Sequence, residues 1–312
     1  MNELVSVIVP YHNDQDIILD SVSRLLNIPN VEIIVVDDGS YVPVTPLVAV
    51  PDNVRVIRLS RNLGVGAAFD RGVAEANGEI ILLMGCDVMV QEGWESHVRR
   101  LGNEHPKALV AAACVGVTKE NNYAFINKPR AGAEIRLKQE AKSRDEWFAS
   151  RNYNDILVGA WLNPVPTEFT KCPCLMGAAY VVRKEWYEHI RGFKGFKYWK
   201  GLEPMISIKS WRAGGYVATG PSWVVGHVYG VNGGERDPTK RRAGRIQYEY
   251  YNKLLIAYTS LPELYKELDK FLGNATAIGE ARQLFKQHRK EIDSIRAYNE
   301  SIFTEKIEIL GL

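Results

Sequence analysis

Unbroken apolar runs, each ending in a polar cluster, constrain this chain more than any other feature. Val5-Ser-Val-Ile-Val9 runs up to Pro10, and Val31 to Val36, Val54 to Leu59 and Glu79 to Met84 repeat the pattern. A strand covered on both faces reads as such a run, without the alternation of a half-exposed one. Helical spacings lie between the runs: Ile17, Ile18, Val22, Leu25 and Leu26 within residues 14–27, then a small-residue helix over 64–77. Strands and helices alternating at this pitch predict βαβ units and an α/β fold with a doubly wound sheet.

In an open sheet of this kind a ligand sits beyond the carboxyl ends of the strands. Three of those ends carry polar clusters, Tyr11-His12-Asn13-Asp14, Asp37-Asp38-Gly39-Ser40 and Gly85-Cys86-Asp87. Asp, Asn and Gly also make turns and caps, so any one cluster has an ordinary reading. Three at successive strand ends point to a site.

The rest of the chain is less regular. Residues 116–170 lose periodicity and are read as loops around a site. Leu175 to Val182 and Pro221 to Tyr229 predict further strands, and Pro204 to Ala213 a helix. Beyond Gly233-Gly234 the composition shifts to helix formers and charge. Leu261, Leu264, Leu268, Phe271 and Leu272, ended by Gly273, mark one amphipathic helix, and residues 277–298 another.

Composition excludes more than it identifies. With a net charge of +2 over 312 residues, no global field advertises nucleic acid or a membrane as partner. Cys172-Pro-Cys174 has the wrong spacing for a zinc knuckle or a redox pair. Four cysteines do not make a disulfide framework, and no leader pattern precedes Leu4, so a cytoplasmic setting is expected.

Val5-Ser-Val-Ile-Val-Pro-Tyr-His-Asn13, Glu32-Ile-Ile-Val-Val-Asp-Asp-Gly-Ser40 and Asn62-Leu-Gly64 resemble the N-terminal signatures of family 2 glycosyltransferases of the GT-A fold. Gly93-Trp94 follows Asp87 at the spacing seen after the Asp-x-Asp motif of those enzymes. Gly192-Phe193, Trp211-Arg-Ala-Gly-Gly215 and Gly226-His-Val-Tyr229 resemble the polypeptide N-acetylgalactosaminyltransferases, a related GT-A group. Pro173-Cys-Leu-Met-Gly-Ala-Ala-Tyr180 is similar to that group's donor-contacting segment.

The resemblance implies a GT-A domain over 1–230, a Rossmann-like mixed sheet flanked by helices. A lid loop and helical extension would follow over 231–312. It implies transfer of a sugar from a nucleotide-sugar, with a UDP-sugar favoured because a carboxylate at Asp38, beside Asp37, suits the N–H of a uracil imide. Pro10 and Tyr11 would border the base. His12, Asn13, Asn62, Gly64, Cys86, Gly177 and Ala178 fall in the donor-binding segments. Asp87 and His227 would be metal ligands, and an oxygen–imidazole pair suits Mn²⁺ or Mg²⁺ better than Zn²⁺. Glu203 would be the carboxylate nearest the reaction centre, ionised at a helix N-terminus and able to act as general base as in inverting relatives. In retaining relatives the corresponding region mainly positions donor and acceptor, and a helix-capping Glu with no part in chemistry is the ordinary alternative.

The chain departs from the pattern at three places. The first acidic position of Asp-x-Asp is Gly85, the expected helix Arg is missing with Arg71 as the nearest substitute, and the acidic pair before the late helix reads Leu202-Glu203. These departures favour, as the alternative, a non-catalytic module that binds a nucleotide-sugar or glycan. A nucleotidyltransferase would need a Gly-rich, basic motif after the first strand, which Tyr11-His-Asn-Asp14 is not. The acceptor is open. Residues 236–253, with Lys240, Arg241, Arg242, Arg245 and interleaved Tyr248, Tyr250 and Tyr251, read as a solvated turn or as a surface for a polyanion such as hydroxymethylated DNA. Gly230 to Arg242 is expected to be a lid.

Overall fold

The computed structural model describes residues 3–44, 51–136, 157–198, 200–228, 246–272, 276–306 and 308. The first run forms β1 (Val5–Tyr11), flanked in parallel by β2 (Val31–Asp37) and β4 (Ile80–Met84), while β3 (Val54–Arg58) lies parallel on β2. β10 (Ala179–Arg183) runs antiparallel between β4 and β6 (Ala108–Gly116). β11 (Tyr216–His227) is parallel to β6, with an irregularity between Gly220 and Val224, and pairs antiparallel with β5 (Val88–Met89) and β9 (Thr170–Lys171). The sheet order is β3-β2-β1-β4-β10-β6-β11-β5, with β9 beside β11. A separate ribbon joins β7 (Ala133–Arg136) to β8 (Val158–Trp161).

Alternate residues of the apolar runs serve two cores. Val5, Val7, Val9, Ile33 and Val35 face α1 (Gln15–Ser23) and α3 (Trp94–Glu104) through Ile18, Val22, Trp94, Val98 and Leu101. Ile8, Ile34, Val36, Ile81 and Leu83 face the opposite layer. That layer contains α2 (Val65–Glu75), α4 (Lys184–His189), α5 (Leu202–Arg212), α6 (Ile246–Ser260), α8 (Thr276–Gln287) and α9 (Arg289–Ile302), with the short α7 (Tyr265–Leu272) beside them. Burial on both faces is why the runs do not alternate.

Several elements differ from expectation. Residues 94–116, for which no element was expected, form α3 and the central strand β6. The aperiodic stretch contains β7 and β8. β11 begins at Tyr216, five residues before Pro221, and the helix expected over 277–298 is two helices meeting at His288. The largest difference is α6. Every side chain from Glu249 to Ser260 is buried, and Leu254, Leu255 and Ile256 contribute roughly 1.5–3 kcal/mol each by leaving water. α6 also holds the segment before α5: Asn252 accepts from the Lys197 amide (3.0 Å) and donates to the carbonyls of Lys197 (2.8 Å) and Lys200 (3.0 Å). Glu249 pairs with Lys200 at 2.8 Å.

Strand directions bring the predicted residues to one sheet edge. The carboxyl ends of β1, β2, β4, β6 and β11 all lie there, together with the amino end of the antiparallel β10.

Candidate functional site

The ends of β1 and β2 are tied by side chains. Asn13, in the left-handed region at φ 58°, gives its N–H to Ser40 Oγ (3.1 Å) and accepts from the Tyr41 N–H at Oδ1 (2.8 Å). His12 Nδ1 lies 2.9 Å from the Asp38 carbonyl, and Nε2 lies 3.1 Å from Asn13 Nδ2. A carbonyl only accepts and an amide NH₂ only donates, so a neutral imidazole protonated on Nδ1 satisfies both.

The adjacent carboxylates are employed differently. Asp37, fully buried, accepts from the N–H groups of Ser40 (2.9 Å) and Val44 (3.3 Å) and from Arg58 Nη1 (2.5 Å), so it builds the turn. Asp38 accepts from the N–H groups of Leu63 (2.7 Å) and Gly64 (2.8 Å). Burial pushes the Asp38 pKa up, against the pull of those two donors. An ionised carboxylate offers about four lone-pair sites, so Asp38 has acceptor capacity to spare. Asn62, next to Leu63 in the chain, has its Oδ1 buried with no hydrogen-bond partner among the described residues.

Gly64 has a steric role. Its φ and ψ are 97° and 162°, and a Cβ there would lie 2.1 Å from Tyr198 Cα. Tyr198 packs backbone to backbone on it, and its carbonyl accepts from the Val65 N–H at 3.0 Å. This seats the turn before α5 over the start of α2.

Pro10, Tyr11 and Asp37 were expected at the nucleobase, but all three are buried within the strands. Tyr11 donates to the Val42 carbonyl (3.3 Å), and burial, then the charge of Asp37, pushes its pKa up to about 12. They belong to β1 and β2, which are covered on both faces, and Asp38 beside them is buried as well. Arg71, the nearest substitute for the missing arginine, points to solvent and pairs with Glu75 at 2.7 Å.

The second half of the site lies across β4, β10, β5 and β11. The Gly85 N–H donates to the Ala178 carbonyl (3.0 Å), which sets the Gly177-Ala178 turn beside Gly85-Cys86-Asp87. Gly177 takes φ 129°, and Cys86 Sγ lies 3.6 Å from Asp14 Oδ2. Pairing of β5 with β11 puts His227 opposite Val88, and the Val228 N–H donates to the Asp87 carbonyl (3.0 Å). As a result His227 Nε2 sits 3.4 Å from Asp87 Oδ2, with both side chains about one quarter exposed. A Cβ on Gly85 would lie 2.7 Å from Asp87 Oδ1, so the Asp87 carboxylate occupies space that an acidic residue at position 85 would need.

The pair fits a divalent cation. Neighbouring ligand atoms on an octahedral ion with bonds of about 2.1 Å lie roughly 3 Å apart, close to the spacing here. Among the described residues no group of three or more His, Cys, Asp or Glu side chains could form a full cage, so a cation here would take its other ligands from solvent or substrate.

Glu203 is the second residue of α5, which starts at Leu202 after Gly201, two residues before Pro204. The Tyr180 hydroxyl lies 3.2 Å from Glu203 Oε1 and 2.9 Å from the Gly177 carbonyl. Burial is the largest influence on Glu203 and raises its pKa, outweighing its own N–H, Tyr180 and the nearby His227. The expected stabilisation of the charged form by the helix dipole is thus overcome by desolvation. Tyr180 carried no signal of its own, being one more aromatic in an apolar strand.

Of the interleaved tyrosines, Tyr250 and Tyr251 are buried in α6, and Lys253 is buried against Glu249 at 3.5 Å. They present no surface to a polyanion. Lys240, Arg241, Arg242, Arg245 and the expected lid, 230–242, lie outside the described residues. All four cysteines are buried thiols, and no described helix is long and apolar enough to cross a membrane.

Comparison with known proteins agrees with this architecture. The chain is 24% identical over 319 residues to polypeptide N-acetylgalactosaminyltransferase 5 of Caenorhabditis elegans, covering 96% of this chain and 48% of that protein. It is also 24% identical to polypeptide N-acetylgalactosaminyltransferase 16 of Mus musculus, covering 96% of this chain and 53% of that one, so it spans about half the length of these relatives. The structure of GalNAc-T7 with UDP, GalNAc and Mn²⁺ superposes with a TM-score of 0.66 at 17% identity, over 93% of this chain and 55% of that chain. These likenesses agree with a GT-A fold. The model of glycosyl transferase family 2 matches residues 6–190, more than half of the sequence, and the chain belongs to that family.

Proposed function

We propose that this protein transfers a sugar from a nucleotide-sugar, held with Mn²⁺ or Mg²⁺ at Asp87 and His227, to an acceptor hydroxyl. The observation that carries the reading is the Asp87–His227 pair at 3.4 Å, partly exposed at the sheet edge that also bears Asp38, Asn62 and Gly64. A divalent cation there would neutralise charge on the departing diphosphate. The protein's own part is to present one carboxylate and one imidazole toward the diphosphate, and to offer Asp38 and Asn62 as acceptors to the base. Asp38 favours a uridine donor, because the imide of uracil has an N–H to give. The complex of GalNAc-T7 with UDP and Mn²⁺ supports both choices. In this reading residues 1–230 form the transferase domain and 231–312 extend it, with α6, α8 and α9 packed into the same core as α2 and α5.

A second reading, donor binding without transfer, is favoured by Gly85, which leaves the site one carboxylate short. Release of nucleoside diphosphate from UDP-sugars and GDP-mannose separates the two. It would be followed with and without Mn²⁺, and with peptide, glycan and hydroxymethylated DNA acceptors. Metal-dependent release supports the transferase. Metal-dependent donor binding with no release supports the module, and no binding defeats both.

A further inference from the structure

We infer that Glu203 is held as a neutral carboxyl by a hydrogen-bond chain running through Tyr180 to the Gly177 carbonyl, and that it positions the acceptor hydroxyl without taking its proton. This rests on the glycosyltransferase reading for its substrate, and on the geometry for its protonation state.

The argument is a count of protons. The Tyr180 hydroxyl has one, and it stands between two oxygens, the Gly177 carbonyl at 2.9 Å and Glu203 Oε1 at 3.2 Å. A carbonyl can only accept. If Glu203 were ionised it too could only accept, and one of the two contacts would lack a proton. A protonated Glu203 closes the chain: Oε1–H donates to Tyr180, and Tyr180 donates to Gly177. Leaving a buried acceptor unmatched costs about 1–3 kcal/mol, which favours the closed arrangement.

The surroundings point the same way. The titratable groups around the pair are the thiols of Cys174 and Cys114, with His227 on β11 supplying the attractive charge on the carboxyl. Burial raises both the Glu203 and the Tyr180 pKa, a shift in the direction of the neutral form for each, beside the hydrogen-bond geometry that carries the argument. The chain also has a mechanical consequence. Gly177 precedes Ala178, whose carbonyl takes the Gly85 N–H, so Tyr180 ties α5 to the turn beside Asp87. Tyr180 engages Oε1; the carboxyl also accepts from its own N–H, and the lone pairs that remain are what it offers a substrate hydroxyl in this proposal.

Infrared difference spectroscopy tests the protonation state without substrate, and so independently of whether transfer is found. Wild type minus Glu203→Gln at neutral pH should show the carbonyl stretch of a protonated carboxyl, and Tyr180→Phe should shift that band. The subtraction removes the other carboxyls whose pKa burial raises, Asp38 and Asp70. A carboxylate signature in place of the band overturns the inference, and a band unmoved in Tyr180→Phe overturns the part given to Tyr180. Kinetics with the donor and acceptor that turn over supply the second arm. Gln can donate to Tyr180 and present its oxygen, so Glu203→Gln should keep kcat within about threefold while Glu203→Ala loses more, with a higher acceptor KM. A fall on the order of 10²-fold in Glu203→Gln would instead mark a general base and overturn the positioning role.

Discussion

Replacing Gly64 by alanine separates backbone strain from packing, because Gly93 provides an internal control. Both glycines have positive φ, 97° at Gly64 and 78° at Gly93. Gly93 is left-handed helical at ψ 6°, with nothing within 4 Å of an added Cβ. Gly93→Ala should therefore cost only the left-handed penalty, about 1–2 kcal/mol. Gly64, at ψ 162°, lies in a region used almost only by glycine, worth about 1–3 kcal/mol in strain. Its Cβ would also lie 2.1 Å from Tyr198 Cα and 2.4 Å from the Tyr198 carbonyl oxygen, backbone atoms that no rotamer change can move. Overpacking of this kind costs about 1–3 kcal/mol. Displacing Tyr198 also weakens the Val65 N–H contact at 3.0 Å, for about 1 kcal/mol more. The sum is roughly 3–7 kcal/mol, a large share of a typical 5–15 kcal/mol. Urea unfolding of the two variants measures the difference through the midpoint at constant m. Costs equal to within about 0.5 kcal/mol, the usual scatter of independent sites, would refute the claim that Tyr198 closes against Gly64.

Two further predictions concern charge. Lys209, fully buried and donating to the carbonyls of Arg191 (3.2 Å) and Gly192 (2.6 Å), has its pKa pushed by burial from the usual 10.5 down to about 7. The unfolded chain binds more protons than the native one between those values, so this residue makes stability rise with pH from about 7 toward 10. Lys209→Met should flatten the rise in urea unfolding at pH 7 and 10, and an unchanged slope would contradict the assignment. Arg71→Ala removes only an exposed pair with Glu75, so it should cost under about 0.5 kcal/mol and leave donor affinity unchanged. A tenfold loss of affinity, about 1.4 kcal/mol, would show that Arg71 reaches the donor.

The parallel half of the sheet was legible because β1, β2, β3 and β4 are covered on both faces and their apolar runs leave little choice. β6 was not: Ala108-Leu-Val-Ala-Ala-Ala-Cys-Val-Gly116 is rich in small residues that suit helix or strand, and only its place between β10 and β11 decides. α6 escaped for the opposite reason. It is enclosed on all sides, so it buries Glu249, Asn252 and Lys253 with its apolar residues and shows no amphipathic stripe. At the site, the resemblance put Asp87 and His227 in one cluster, and the β5–β11 pairing sets them 3.4 Å apart. The sequence could not show that Pro10, Tyr11 and Asp37 lie beneath the surface, since strand ends look alike whether they face a ligand or a core. Nor could it show Tyr180 bridging Glu203 and Gly177, a contact made between β10 and α5.

Calorimetric titration of UDP into the protein, with and without Mn²⁺, tests the central claim most directly. It would be run for wild type, Asp87→Asn and His227→Ala. The account predicts that Mn²⁺ strengthens UDP binding in wild type and that either substitution removes most of that gain, with little change in metal-free affinity. Equal Mn²⁺-dependent affinity in all three proteins would show that the metal and the diphosphate are held elsewhere.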